Sequence, residues 1–452
     1  MRALFSSIHH FFFQPVDARG FGLMRMAWGF TMFVYWLARW PDITRFYSNA
    51  GMLPVSLESI AMRSFLRFSL FDVLTEPTVV FGFYLLMLAG SFCCMVGIFP
   101  RISTIITTLL LFSFHERNYM LLGGGDAVLR FTGFVLMLAP GIHAYSLSRL
   151  HSQWKYWHKH HTLMPAPLMP KWPVILLTWQ LVMLYFTSGW DKLQGTMWFD
   201  GSAVHVALHH LHFSRWPLWV MDGISLLALP VAWGTLLFEF LWLFMLLPSY
   251  VIREIPFLSR HLLRRLLIAG GILFHGSIFI FMDVGSFSLA MLAAYCGLLT
   301  ADDFAWLERI TKRVLHNTSA KPIIVLFDGQ CGLCRRSIAT LLTFDWLHRL
   351  HPVDFHSPER DHVAHGLSFD DLNRALHIRL PNGKTYLGFS AFRQLSWSLP
   401  PLWPLAPFLY LPGAIIIGNW LYERIANRRK RCKHENCHHL DLKPAKKALH
   451  QA

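Results

Sequence analysis

The sequence predicts a polytopic α-helical membrane domain followed by a smaller α/β domain. Three observations carry that reading. Of the 452 residues, 54 % are hydrophobic and only 15 % charged, an apolar balance foreign to ordinary soluble chains. The apolar residues gather in long runs before about Thr300, and a bilayer core needs about 20 apolar residues per helix. After those runs, Ile323-Ile324-Val325-Leu326-Phe327 reads as a short buried strand leading into a Gly turn.

Eight candidate spans cover roughly 22–40, 79–98, 103–116, 127–142, 172–188, 226–248, 266–282 and 286–300. Several are short, so tilted or re-entrant segments are expected, and Gly51 to Phe71 is a further interfacial candidate. No cleavable signal peptide is evident. The first 20 residues, with Phe11-Phe12-Phe13, read instead as an interfacial lead-in. The +15 charge does not call for a nucleic-acid partner, because basic residues of membrane proteins concentrate in cytoplasmic loops. With the N-terminus inside, fifteen Lys and Arg fall on the inner side and six on the outer. That bias places the C-terminal domain in the cytoplasm, where dithiols are kept reduced.

The clearest chemistry lies in Asp328-Gly329-Gln330-Cys331-Gly332-Leu333-Cys334. Two thiols at i and i+3, at the start of a predicted helix running from Arg335 to Phe344, share one face and can bridge. The helix N-terminus stabilises a Cys331 thiolate, and Arg335 and Arg336 add positive charge. A C-x-x-C after a strand reads as a thioredoxin-like redox dithiol. The competing reading is half a zinc site, which lacks two further ligands at finger or ribbon spacing. Cys93, Cys94 and Cys296 sit in apolar runs and read as packing residues. Asp328 is either a proton carrier for the buried thiol or a turn former.

Other stretches carry weaker signals. His151 to His161 is basic and Trp-rich, and reads as an interfacial belt rather than a metal site. Gly123-Gly124-Gly125-Asp126 lacks the strand and Lys of a phosphate loop, so a tight turn with Asp126 capping the next helix is expected. Lys192 stands just past a span end. Apolar walls would disfavour its charged form and make it a base; a snorkelling lysine is the plainer account. His205, His209 and His212 have metal-like spacing but no carboxylate among them, and read as interfacial. Glu239 and His275 lie inside spans, with Asp283 near an end. Ionisable groups at that depth are functional candidates, and Glu239 is a potential partner of His275 or Lys192. Cys432, His434, Cys437, His438 and His439 in the basic tail offer metal-ligand types without recognised spacing; a solvated or membrane-surface tail is the plainer reading.

Six segments together make the first 300 residues resemble the membrane domain of vitamin K-dependent gamma-carboxylases and their bacterial HTTM relatives. They are Gly22 to Met26, Phe46 to Pro54, Met95 to Ser103, Asn118 to Arg130, Gly189-Trp190-Asp191-Lys192-Leu193, and Phe274-His275 with Phe287-Ser288. The resemblance implies that Lys192 is the base that starts hydroquinone oxidation, and that a quinone or another lipophilic molecule binds. The carboxylases' functional His falls near His115, Glu116 and Arg117. Their large lumenal substrate region has no counterpart, so carboxylation of protein glutamate is not implied. Residues from about Pro322 to Arg429 resemble the DCC thiol-disulfide oxidoreductases, through Asp328, Cys331 and Cys334, Gly388 to Phe392, and Leu411 to Tyr422.

The expected organisation is therefore 1–305 membrane domain, 321–430 thioredoxin-like domain and 431–452 tail. The expected function is a membrane-bound thiol-disulfide oxidoreductase, acting on a thiol or disulfide substrate and linked to a quinone. The alternative is a non-enzymatic lipophilic-ligand binder or transporter with a redox-sensing dithiol.

Overall fold

The computed structural model describes residues 2–56, 67–255, 259–316, 322–403 and 405–427. The chain forms two compact units, Met1–Ser148 with Ala166–Ala301, and Arg149–Pro165 with Asp302–Ala452. The expected tail ligands Cys432, His434, Cys437 and His438 lie outside the described residues.

The first unit is helical. Its principal helices are α1 (Arg19–Ala38), α2 (Pro77–Val96), α3 (Pro100–Arg117) and α4 (Gly124–Leu138). After α5 (Leu147–His160), which lies almost wholly in the second unit, follow α6 (Trp172–Leu193), α7 (Ala228–Leu241), α8 (Arg260–Phe281) and α9 (Phe287–Cys296). Prolines open α2, α3 and α6, where a missing N–H costs nothing. Gly97 ends α2 in the left-handed region at φ 75°. Asp126 accepts the Gly123 N–H at 2.8 Å and closes the glycine turn before α4, as expected.

Every expected span contains a helix, but four among the described residues are long and apolar enough to cross a membrane. They are Pro77–Val96, Trp172–Leu193, Ala228–Leu246 and Arg260–Phe281. A fifth exists only if Phe287–Cys296 and Ala301–Ile310, bent by 100°, act as one. The others fall short for visible reasons. α4 has 15 residues, α3 carries His115, Glu116 and Arg117, and α1 is diluted by Arg25 and three glycines.

Arg25 is fully buried. Its guanidinium donates to Ile142 O (3.0 Å), Ala144 O (3.2 Å), Tyr145 O (3.1 Å), Met95 O (3.2 Å) and Cys94 O. Cys94 and Met95 are in the last turn of α2, whose carbonyls have no partner within the helix. The side chain therefore caps α2 and ties it to α1 and to the segment before α5.

The second unit holds a four-stranded mixed sheet. β1 (Ile323–Phe327) pairs in parallel with β2 (Leu350–Asp354), from Ile323 opposite Leu350 to Phe327 opposite Asp354. A parallel pair needs a crossover, supplied by helix α10 (Gly332–Phe344). β3 (His377–Arg379) lies antiparallel on the other edge of β1, and β4 (Thr385–Leu387) antiparallel on β3. Helices α11 (Gly388–Ser396) and α12 (Ala414–Ala426) follow.

The segment His151 to His161 departs from its expected role. Trp157 is 3 % exposed and shares a core with Phe327, Cys331 and Cys334. Trp154 packs against that core and donates from Nε1 to Thr340 Oγ1 at 2.9 Å. Trp154, Trp157 and His161 recur at i, i+3 and i+7, the period of a packed helix face.

Replacing Arg25 with Met should strand several buried carbonyls, each costing about 1–3 kcal/mol. We expect a marked fall in the thermal unfolding temperature of the detergent-solubilised protein, partly restored in Arg25→Lys. Equal stability of wild type and Arg25→Met would contradict the clamp.

Candidate active site

The dithiol sits where β1 ends and α10 begins. Phe327 is the last residue of the buried apolar strand, and the next seven residues form the turn and the first helical positions. Cys331 is the N-cap of α10, and its Sγ accepts the Cys334 N–H at 3.4 Å. Cys331 is 3 % and Cys334 8 % exposed. Gly332, between them, is exposed, and a Cβ added there would meet nothing within 4 Å.

The turn is held from two strands. Asp328 Oδ1 accepts the N–H of Gln330 (2.9 Å) and of Cys331 (3.2 Å). It also lies 3.2 Å from His356 Nε2, and both side chains are almost wholly buried. Asp354, at the end of β2, accepts the N–H of Gly329 (2.9 Å) and of His356 (3.1 Å). Its carboxylate approaches so closely that a Cβ at position 329 would lie 2.1 Å from Oδ2. A larger residue would have to displace the Asp354 carboxylate that accepts the Gly329 N–H.

These contacts set the thiol chemistry. The hydrogen bond from the Cys334 side chain is the largest influence on Cys331, and backbone N–H groups of Cys334 and Leu333 act in the same direction. Burial and the Asp328 charge oppose them. The balance brings the Cys331 thiol from 9.0 down to about 6. A thiolate so poised is a nucleophile at neutral pH.

A second constellation lies in the helical unit. Lys192 Nζ donates to Glu239 Oε1 at 2.7 Å and to Ser188 Oγ at 2.5 Å, with the Trp198 ring 5.1 Å away. Glu239 is 3 % exposed, and its Oε2 has no hydrogen-bond partner among the described residues. Gly189 lets α7 approach: a Cβ there would sit 3.2 Å from Glu239 Oε2. His275 does not join this pair. Its Nε2 meets Tyr185 Oη at 2.9 Å, Tyr185 also contacts Tyr295 Oη, and the Trp242 ring stacks on both tyrosines.

Other expected residues separate. His209 Nε2 meets Asp222 Oδ1 at 2.8 Å, His205 stacks on His209, and Asp283 pairs with Arg215 at 3.3 Å. No group of three or more His, Cys, Asp or Glu able to hold a metal ion occurs among the described residues. Sequence reading missed His356, which lies far from Asp328 along the chain, and the Trp154/Trp157 face, whose helical spacing was visible.

Long apolar helices and a separate α/β unit with a dithiol at a helix start define a multi-pass membrane protein bearing a redox-type domain. The chain belongs to the HTTM domain family, whose model matches residues 13–302. It carries in addition a DCC1-like thiol-disulfide oxidoreductase domain, matched over residues 325–434. Comparison with curated proteins and with solved structures returns no match.

Site-resolved alkylation of the reduced protein by iodoacetamide should report the thiol directly. Below about pH 6 Cys331 is protonated and slow, and above it the rate rises to a plateau. A midpoint near the ordinary thiol value would contradict the site geometry.

Proposed function

We propose that the protein is a membrane-bound thiol-disulfide oxidoreductase whose dithiol is Cys331–Cys334, on a thioredoxin-like scaffold facing the cytoplasm. The placement of Cys331 as the N-cap of α10, with its Sγ accepting the Cys334 N–H, carries the reading. The parallel strand–helix–strand unit supports the scaffold assignment, and the orientation rests on the Lys and Arg distribution over the eight spans expected from the sequence.

The exchange runs in two steps. The Cys331 thiolate attacks one sulfur of a substrate disulfide, forming a mixed disulfide and releasing the first substrate thiolate, which takes a proton. Cys334 then loses its proton and attacks the Cys331 sulfur. The Cys331–Cys334 disulfide forms, and the second substrate thiolate leaves. The substrate gains two electrons, and a thiol donor returns two to the protein. Asp328, buried in the turn before Cys331 and held by His356, is the group we assign to accept the Cys334 proton.

The membrane unit supports a companion assignment. Lys192, paired with Glu239, is the base toward a quinol or similar lipophilic reductant, following the carboxylase resemblance. Oxidation of a quinol to its quinone releases two electrons and two protons, the number that converts the Cys331–Cys334 disulfide to the dithiol.

Turnover of a model disulfide by the full-length protein with a thiol donor tests the main reading. Cys331→Ser should abolish it, Cys334→Ser should accumulate a mixed disulfide on Cys331, and Asp328→Asn should slow it about 100-fold or more. Absence of turnover in the wild type would sink the proposal. For the membrane unit, adding a quinol to nanodisc-reconstituted protein should shift the dithiol toward its reduced state. Lys192→Met should remove that shift, and an unchanged redox state in the wild type would remove the quinone link.

A further inference from the structure

The unit that contains the dithiol is not continuous in sequence. Residues 149–165 leave the helical unit between α4 and α6 and complete the core around Phe327, Cys331 and Cys334. What they bring, besides Trp154 and Trp157, is positive charge. No Asp or Glu occurs from 149 to 165, whereas Arg149, Lys155 and Lys159 do, together with His151, His158, His160 and His161. Helix α10 likewise contains no acidic residue, and starts its second turn with Arg335 and Arg336.

The two basic segments meet beside the thiols. The Arg336 guanidinium lies 6.0 Å from the Trp154 ring centroid. His161, held by its N–H to Trp157 O at 2.9 Å, is close enough to Arg335 and His158 to feel both charges. Arg335 Nε and His161 Nδ1 are both buried and have no hydrogen-bond partner among the described residues. The two carboxylates at the turn are already engaged. Asp328 and Asp354 are buried behind the turn, bonded to backbone N–H groups and His356. Gly332, between the two cysteines, is exposed and has open space where a side chain would sit.

Building on the oxidoreductase reading, we infer that Arg335, Arg336, His158 and His161 form the substrate-recognition rim of the dithiol, and that the substrate is a disulfide carrying carboxylates near its sulfurs. Two physical effects favour that class. Fixed cations raise the encounter rate of an anion. They also stabilise the negative charge that grows on the departing thiolate, where the groups are already oriented. A guanidinium presents a rigid fork of N–H donors that matches a carboxylate. Burial, with the charges of Arg335 and His158, holds His161 toward its neutral form, so it serves as a hydrogen-bonding group.

The test uses the prereduced full-length protein in nanodiscs of uncharged lipid, oxidised in single turnover by three disulfides with similar skeletons. They are 3,3′-dithiodipropionate (anionic), bis(2-hydroxyethyl) disulfide (neutral) and cystamine (cationic). Each rate is divided by the rate of the same disulfide with dithiothreitol, which removes intrinsic reactivity. We expect the anionic disulfide to exceed the cationic one by roughly tenfold or more at low salt. The ratio should contract in ~1 M salt, where charges are screened within a few ångströms. In Arg335→Gln/Arg336→Gln the anionic-to-neutral ratio should fall toward one. A ratio cancels any change in Cys331 reactivity common to all three. Arg335→Lys/Arg336→Lys should retain most of the preference and controls for folding. Equal normalised rates for the three disulfides would overturn the inference and leave the oxidoreductase reading standing. Failure of all three to oxidise the dithiol would overturn that reading itself.

Discussion

A charge buried among apolar helices needs hydrogen-bonding partners or a counter-charge, and this constraint organises the helical unit. A guanidinium with no exposure would otherwise be among the most expensive groups in the chain. Arg25 meets the requirement with carbonyls from the end of α2 and from residues 142–145. Its planar fork is rigid, so it fixes where these segments lie along α1. The same constraint explains the pairing of Lys192 with Glu239 and Ser188. It also explains Asp126, whose carboxylate takes the Tyr35 hydroxyl (2.5 Å) as well as the Gly123 N–H.

In the second unit, the parallel register of β1 and β2 does comparable work. Phe327 lies opposite Asp354, so both chains leave the sheet at the same edge. Asp328 and His356 then emerge side by side, while Asp354 reaches back to Gly329. The turn before Cys331 is thus fixed by a strand that follows the helix it introduces. A dithiol needs such a support, because its reactivity depends on where a few N–H groups point.

Local features were legible in the sequence. The apolar run 323–327, the Gly turn and the i, i+3 thiols required only neighbouring residues to interpret. Long-range partners were not. His356 is linked to Asp328 by strand register, which periodicity does not encode. Trp154 and Trp157 were misread for a physical reason: Trp, Lys and His suit a headgroup belt, and the same composition suits an amphipathic helix docked on an α/β core. Glu239 was foreseen with Lys192 or His275, and packing decided for Lys192, with His275 turned to Tyr185. The span count fell because helix length and embedded charge decide what can cross: α4 has 15 residues, and α3 ends on His115, Glu116 and Arg117.

Lowering a thiol's pKa helps catalysis less than the size of the shift suggests. Moving Cys331 from 9.0 to about 6 raises its thiolate fraction near pH 7 by about 90-fold. The weaker base is also a poorer nucleophile, by roughly 15–30-fold over three units. The net gain as attacker is therefore only several-fold. The larger consequence is thermodynamic. Stabilising the thiolate stabilises the reduced pair, which makes the disulfide more oxidising and its re-reduction easier. Asp328 works against this, since its charge raises the Cys331 pKa. A carboxylate that served only to shape the turn would be better replaced by Asn, which offers the same acceptor without the penalty. Here the carboxylate also faces His356 Nε2, a partner that an amide would meet without charge.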